Sequence, residues 1–424
     1  MSYKTLEDLA NLNIEMNAPL SDGDILLDFI EENEASEQKA RMDEGVSYFK
    51  VKNDILDEDF TAYTDEHGNP QNQPDKANNR LAFAFFRRQV IEKTAFLVKT
   101  PITVTHETDG IIDKIHEFID ADTFNEVLSD WIDRASYKGR EWLHPFIYKE
   151  KFDYMLFDAR QIIPIYETSR QKELVSAIRY YPVTVDETGT KHERYVVEWY
   201  QVYGIDKYIE NNLGKIEFVE TVPYFVGKKN GRETPKSWGK VPLVELRNNS
   251  VMMTDLEPIK TLVDSYDRSM SVLTNDLEDI QSAFFHISGT SDKASDVRSN
   301  LKKFKVAVSD EAEGKMTAFT VDIPSEARKM QLEKLEEQIF ANGMSISTTQ
   351  DEFGNSPSGV ALKWLYVPLD QKAGLLELKA IKALKEFYWF LGEFLKQSQA
   401  LDIKSDKIKV TFNKTMIQNE KEMW

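Results

Sequence analysis

The chain has 424 residues, is 41% hydrophobic and 29% charged, and carries a formal net charge of −19 with no cysteine. Its length exceeds one ordinary core, so two or three modules are expected. The composition excludes a disulfide framework, a thiolate zinc site and a thiol nucleophile, and it lacks the basic footprint of a freestanding DNA-binding domain.

No apolar run approaches the ~20 residues of a membrane span. The most apolar, Phe387 to Leu391, is broken by Gly392 and Glu393. The opening MSYKTLEDLANLN is polar and acidic and does not read as a secretory signal. With so acidic a chain, either DNA is irrelevant or it is meant to pass without sticking.

Ser21 to Tyr48 reads as one helix, capped by Ser21 and Asp22, with Ile25, Leu26, Phe29 and Ile30 on its apolar face. Asn53 to Ala77 is a polar, turn-rich loop. Asn79 to Val98 has Leu81, Phe85, Val90, Ala95 and Phe96 near helical spacing, and Pro101 stops it. Ile111 to Arg134 suggests two short helices around Ala121-Asp122-Thr123. From Trp142 to Leu246 alternation dominates, as in VSAIRYYPVTV and ERYVVEWYQVYGIDKYIE, and predicts antiparallel strands dense in aromatics.

VPLVELRNN, Val241 to Asn249, reads as a buried strand leaving that sheet. Thr254-Asp-Leu-Glu257 matches a capping box, with Pro258 in the first turn. Behind it Leu256, Ile259, Leu262, Val263, Tyr266, Met270, Leu273, Leu277 and Ile280 predict a helix with one apolar stripe. Its other face carries Asp255, Glu257, Asp264, Asp267, Asp276, Glu278 and Asp279 against Lys260 and Arg268, more acid than solubility requires.

Phe284 to Ile323 is a small mixed insert: a short helix at Ala294 to Lys303, and two strands, KFKVAVS and MTAFTVDI, around an acidic turn. A second helix opens at Pro324-Ser325, with Met330, Leu332, Leu335 and Ile339 inward. The glycine-bearing loop ISTTQDEFGNSPSG follows. Pro357 to Ala400 then predicts a long helix that Pro368 interrupts, leaving the Trp364 carbonyl without its N–H partner. KIKVTFNKTMI closes the chain as a strand. The fold class is α+β.

Positive chemical signals are absent. Gly354 to Gly359 lacks the lysine and hydroxyl of a phosphate-binding loop. The six histidines are scattered, without metal spacing. No G-x-S-x-G elbow occurs, and carboxylates are too abundant to single out a catalytic pair. No catalytic residue, cofactor or metal is expected. The apolar stripes of the two helices are covered either within the chain or by something else.

Three stretches, taken in order, resemble portal proteins of long-tailed double-stranded DNA bacteriophages: NNRLAFAFFRRQVIEKTAFLVKTPITV; VPLVELRNN with the MTDLEPIKTLVDSYDRSMSVLTNDLEDIQSAF that follows it; and SGVALKWLYVPLDQKAGLLELKAIKALKEFYWFLGEFL followed by VTFNKTMIQNE. The resemblance implies a phage portal fold: a mixed wing over residues 1–250, a stem helix over 251–281, a clip over 282–323, a second stem helix over 324–344, a tunnel loop over 345–357, a long kinked wing helix over 358–400 and a terminal wing strand over 401–424. Relatives continue into a helical crown that is not seen here.

The resemblance also implies a ring of about twelve, or thirteen, subunits at one capsid vertex. Double-stranded DNA would pass through it during packaging and ejection. Terminase large subunit, head-to-tail adaptor, major capsid and scaffolding proteins would be its partners, with no membrane and no enzymatic role of its own. The protein would be a virion component assembled in the bacterial host cytoplasm.

By resemblance, Thr348, Thr349, Gln350, Asp351, Glu352, Asn355, Ser356 and Lys363 face the DNA from the tunnel loop. Lys302, Lys303, Lys305, Asp310 and Glu311 meet partners at the clip. Leu262, Tyr266, Met270, Leu273, Leu277, Leu335 and Ile339 pack between subunits in the stem. About twelve copies at −19 each carry about −230 in all, a wall that does not trap DNA. The rival reading is a monomeric structural or binding module with a β-rich recognition surface.

Overall fold

The computed structural model describes residues 21–73, 76–167, 173–187, 190–229, 232–280, 284–288, 293, 315–319, 325–347 and 359–414. It divides into two compact units. One comprises Met1–Val51, Ala84–Ile259 and Phe340–Trp424; the other comprises Lys52–Phe83 and Lys260–Ile339. The segment 52–83 thus shares a unit with residues 260–339.

The chain opens with two helices, α1 (Asp22–Glu34) and α2 (Glu37–Phe49), where periodicity predicts one. The break is a capping event. Ser36 leaves the helical region, and its hydroxyl accepts from the Lys39 N–H at 3.1 Å, as Ser21 accepts from Asp24 at the start of α1. A 3₁₀ turn (Asp54–Asp57) and an exposed hairpin of β1 (Ala62–Thr64) and β2 (Pro70–Asn72) fill the polar stretch that follows.

The next helix, α3, spans Phe85–Val98 and starts six residues later than its spacing suggests. Then come β3 (Thr103–Thr105), α4 (Ile111–His116) and α5 (Ala121–Lys138), the last capped by Asp120.

The β-rich region is as alternation predicts. β6 (Ile162–Tyr166), β7 (Leu174–Glu187), β8 (Thr190–Tyr200), β9 (Ile205–Glu210) and β10 (Ile216–Val222) form an antiparallel meander in which each strand pairs with the next. One face, with Ile163, Ile165, Ile178, Tyr180 and Val197, is covered by Ile25, Leu26, Phe29 and Ile30 of α1. Each such side chain contributes about 1.5–3 kcal/mol on burial. β4 (Arg140–Tyr148) and β5 (Lys151–Phe157) make a second sheet, which β13 (Val244–Arg247) completes in the order β13-β4-β5. β11 (Phe225–Lys229) and β12 (Arg232–Lys236) form a hairpin between the two sheets in sequence.

After β13 come α6 (Lys260–Ile280), the strands β14 (Phe284–Ser288) and β15 (Lys315–Phe319), which pair antiparallel, and α7 (Ser325–Asn342). The partner of β15 is thus the strand at the head of the insert; the expected short helix and the KFKVAVS strand lie outside the described residues. The 41-residue helix α8 (Gly359–Gln399) continues across Pro368, and β16 (Lys409–Thr411) closes against β3.

The main core forms around α8. Leu376, Ala380, Leu384, Phe387 and Leu391 are buried together with Leu128 and Trp131 of α5 and Leu97 of α3. Phe124 stacks on Phe387 at 5.0 Å between ring centres.

Candidate functional site

In the unit made of 52–83 and 260–339, α6 has two unlike faces. The deeply buried row is mostly polar: Val263, Asp267, Ser271 and Asn275. The segment 77–83, which is neither helix nor strand, explains why. Its alternate backbone donors meet side chains of α6 one turn apart. Phe83 donates to Asp267 Oδ1 at 3.1 Å, Leu81 to Ser271 Oγ at 2.9 Å, Asn79 to Asn275 Oδ1 at 2.6 Å and Ala77 to Asp279 Oδ1 at 3.0 Å.

A period of two in the strap thus meets a period of four on the helix. Each bond is worth about 0.5–1.5 kcal/mol net, and each donor left unpaired in the interior costs more. This competition keeps residues 79–84 out of the helix that their apolar spacing predicts.

Asp267 also accepts from Asn53 Nδ2 at 2.6 Å. Burial raises its carboxyl to about 6; the hydrogen bonds from Asn53 and Phe83 oppose the rise, and the neighbouring Asp264 adds to it.

The other acids expected to form an exposed negative face are engaged as well. Asp264 pairs with Lys260, Asp276 with Arg328 of α7, and Glu257 with Arg41; Glu278 accepts from Asn79 Nδ2. Asp255 is buried. Helices α6 and α7 run antiparallel, with Asp276 opposite Arg328 and Ser269 opposite Gln331.

The apolar stripe of α6 is only partly covered. Leu262, Tyr266, Met270 and Leu273 are half-buried, and Leu277 is 52% exposed. On α7, Leu335 is half-buried and Ile339 fully buried, whereas Met330 is 67% exposed. Met330 was expected inward. It stands two residues before Leu332, about 200° around the helix from it, so the two share no face.

In the other unit, the chain from Phe340 to Ile346 is gripped by α3. The Arg88 guanidinium lies 4.8 Å from the centre of the Phe340 ring, with Phe85 edge-on at 5.9 Å. Glu92 takes the Ser345 hydroxyl and the Ile346 N–H. Gly343 fits where a Cβ would fall 2.0 Å from Gln89 Oε1, and Met344 adopts a left-handed φ of 50°.

Beneath this turn lies a buried ionic cluster. Lys93 Nζ is 2.6 Å and Lys372 Nζ 3.2 Å from the same oxygen, Oδ2 of Asp255. Asn248 donates to Asp255 Oδ1 at 2.8 Å and accepts from Lys93 at 2.9 Å. Lys372 also donates to the Gly343 carbonyl at 2.9 Å.

Burial pushes the Asp255 carboxyl up, but the Lys372 and Lys93 ammonium groups outweigh it and hold it below the usual carboxylate range. Burial brings Lys93 down to about 8; Asp255 resists and Lys372 reinforces the fall.

Sequence reasoning missed this cluster, although a signal was present. Lys93 occupies the apolar phase between Val90 and Leu97, and Lys372 stands between Leu369 and Leu376, so each is a cation in a core stripe. Thr254-Asp-Leu-Glu257 makes half of the predicted box: Glu257 accepts from the Thr254 N–H at 2.7 Å, and α6 begins at Lys260.

Of the expected DNA-facing residues, Lys363 is exposed on the first turns of α8. Thr348, Thr349, Gln350, Asp351, Glu352, Asn355 and Ser356 lie outside the described residues, as do Lys302, Lys303, Lys305, Asp310 and Glu311. A hollow of about 240 Å³ is lined by Pro101, Ile102, Val104, Ile115, Ile119 and Phe124 among others, and no carboxylate lines it. Among the described residues no group of potential ligands is placed to hold a metal, and no helix is long and apolar enough to cross a membrane.

The family model for SPP1 Gp6-like phage portal proteins matches residues 28–423. The portal protein of Bacillus phage SPP1 is 30% identical over 390 residues, covering 89% of this chain and 75% of that protein. The portal protein of Clostridium phage phiCD119 is 30% identical over 400 residues, covering 89% of this chain and 83% of its own length. A solved structure, the neck of an empty GTA particle computed with C6 symmetry, aligns with a TM-score of 0.42 at 10% identity, over 78% of this chain and 81% of that one.

Proposed function

The chain belongs to the SPP1 Gp6-like family of phage portal proteins, and on that premise we propose that copies of it close into a ring whose bore conducts double-stranded DNA into and out of the capsid. The observation that carries the ring is the half-covered apolar stripe of α6. Leu262, Tyr266, Met270, Leu273 and Leu277 keep one side open, while the deeply buried row of the same helix is occupied by a polar strap. A second copy of the chain is the natural cover for such a seam. Leu335 of α7 joins it; Ile339 is already covered by its own chain.

In this reading α6 and α7 are the stem, the β14–β15 insert is the clip, residues 345–357 are the tunnel loop and α8 is the long wing helix behind it. Thr348, Thr349, Gln350, Asp351, Glu352, Asn355, Ser356 and Lys363 face the DNA, and Lys302, Lys303, Lys305, Asp310 and Glu311 meet terminase and the head-to-tail adaptor. Portal proteins are structural components of the virion head. This chain contributes no catalysis of its own in this reading, and a separate motor supplies the energy for packaging. The acidic charge of the chain, −19, suits a wall along which a polyanion slides without adhering.

Averaged electron images of purified particles test the proposal. End-on views showing a closed annulus with a central hole are expected. A preparation that stays at the 49.0 kDa of one chain under all assembly conditions overturns it.

A further inference from the structure

We propose that Lys372 is a positioning residue for the turn 340–346, acting through the carbonyl of Gly343; the functional part of this inference rests on the reading of the residues after that turn as channel-lining.

Lys93 and Asp255 already form a matched buried pair, with Asn248 bonded to both. A second ammonium on the same carboxylate oxygen disfavours the charged form of Lys93. Lys372 is half-buried, and withdrawing a cation even partly from water costs free energy unless its hydrogen bonds are placed. Lys372 reaches one acceptor that Lys93 is not seen to reach, the Gly343 oxygen at 2.9 Å.

That carbonyl lies just past the end of α7, where orphan acceptors need donors. Around it the turn has little freedom. Gly343 has no room for a side chain, Met344 is left-handed, and Arg88 and Glu92 hold both sides. Lys372 sits on α8, the element on the far side of the loop. One side chain thereby ties the last turn before the loop to the helix after it, and ties both to Asp255, five residues ahead of α6.

The test uses the full chain with Lys372→Met and Lys372→Arg. Three measurements are made: thermal unfolding, amide hydrogen exchange at residues 340–347, and the yield of DNA-filled heads assembled with each variant. Lys372→Met leaves the Lys93–Asp255 pair intact, so its melting temperature stays within a few degrees of the parent. Exchange at Met344, Ser345 and Ile346 rises about tenfold, the yield of filled heads falls about tenfold, and Lys372→Arg restores both. Exchange that does not change in Lys372→Met overturns the proposal, as does a variant that melts far below the parent, which makes Lys372 a stabilising residue only. If the parent forms no ring, the channel reading fails, while the exchange measurement still reports on the contact between Lys372 and Gly343.

Discussion

The backbone N–H of Leu81 donates to Ser271 Oγ at 2.9 Å. Ser271 in turn donates a hydrogen bond to the Asp267 backbone carbonyl at 2.7 Å, so its hydroxyl is used in both directions. Ser271→Ala leaves the Leu81 donor unpaired and is expected to cost about 1–3 kcal/mol. Denaturant unfolding measures the loss, and exchange localises it to the amides of 77–83. A variant with parental stability and unchanged protection there would show that the strap is held by other contacts.

Asp267 gives a pH signature. A carboxyl raised from 3.8 to about 6 favours the protonated folded state. Its contribution is fully present below the unfolded value and is lost as pH rises through about 6. In Asp267→Asn the amide oxygen still accepts from Phe83, and the Asn53 side-chain amide turns over so that its Oδ1 accepts from the new N–H in place of donating. The melting temperature of the variant relative to the parent is therefore expected to climb between pH 4 and pH 7, by the equivalent of about 1–3 kcal/mol. A difference that stays flat across that range would remove the argument.

Gly343→Ala drives a methyl against Gln89 Oε1, which would stand 2.0 Å away. Gln89 is buried, so it cannot simply swing into water. A loss of about 1–3 kcal/mol is expected. The double variant Gly343→Ala with Gln89→Ala should recover much of it, a coupling that calorimetry on the two singles and the double reads directly. Strictly additive losses would place the strain elsewhere.

Leu277→Glu changes a side chain that is already 52% exposed in one chain. The fold should hold, with circular dichroism and melting close to the parent, while sedimentation shows the ring replaced by slow species. A variant that still sediments as a ring would mean that the seam near Leu277 faces solvent or another partner.

The meander was legible because an antiparallel sheet with one buried face writes its own alternation, as in Tyr195, Val197 and Trp199 of the core face against Arg194, Val196 and Glu198. The long helix was legible for the same reason at the other period. The strap was not. Leu81 and Phe85 carry helical spacing, and only the row Asp267, Ser271, Asn275 and Asp279, two hundred residues away, decides against it.

That row is visible in the sequence as polar side chains every fourth residue, but nothing local says what they hold. The break at Ser36 was hidden because Glu31 to Lys39 holds neither Gly nor Pro, and a lone Ser among good helix formers does not mark a stop. The Lys93–Asp255–Lys372 cluster was hidden because charge suggests surface until its three members are known to meet.

The match between strap and helix behaves as a vernier. Two extended residues advance about 6.6 Å, whereas four helical residues advance about 6.0 Å. Over the three intervals from Asp267 to Asp279 the mismatch grows to about 2 Å, most of a hydrogen-bond length, so the alignment is self-limiting and four rungs are near its natural extent. Parity is stricter still: deleting any single residue between Ala77 and Phe83 turns every remaining donor on one side of the gap away from α6. The length of this segment is therefore fixed by counting, and its side chains are freer to vary than their number.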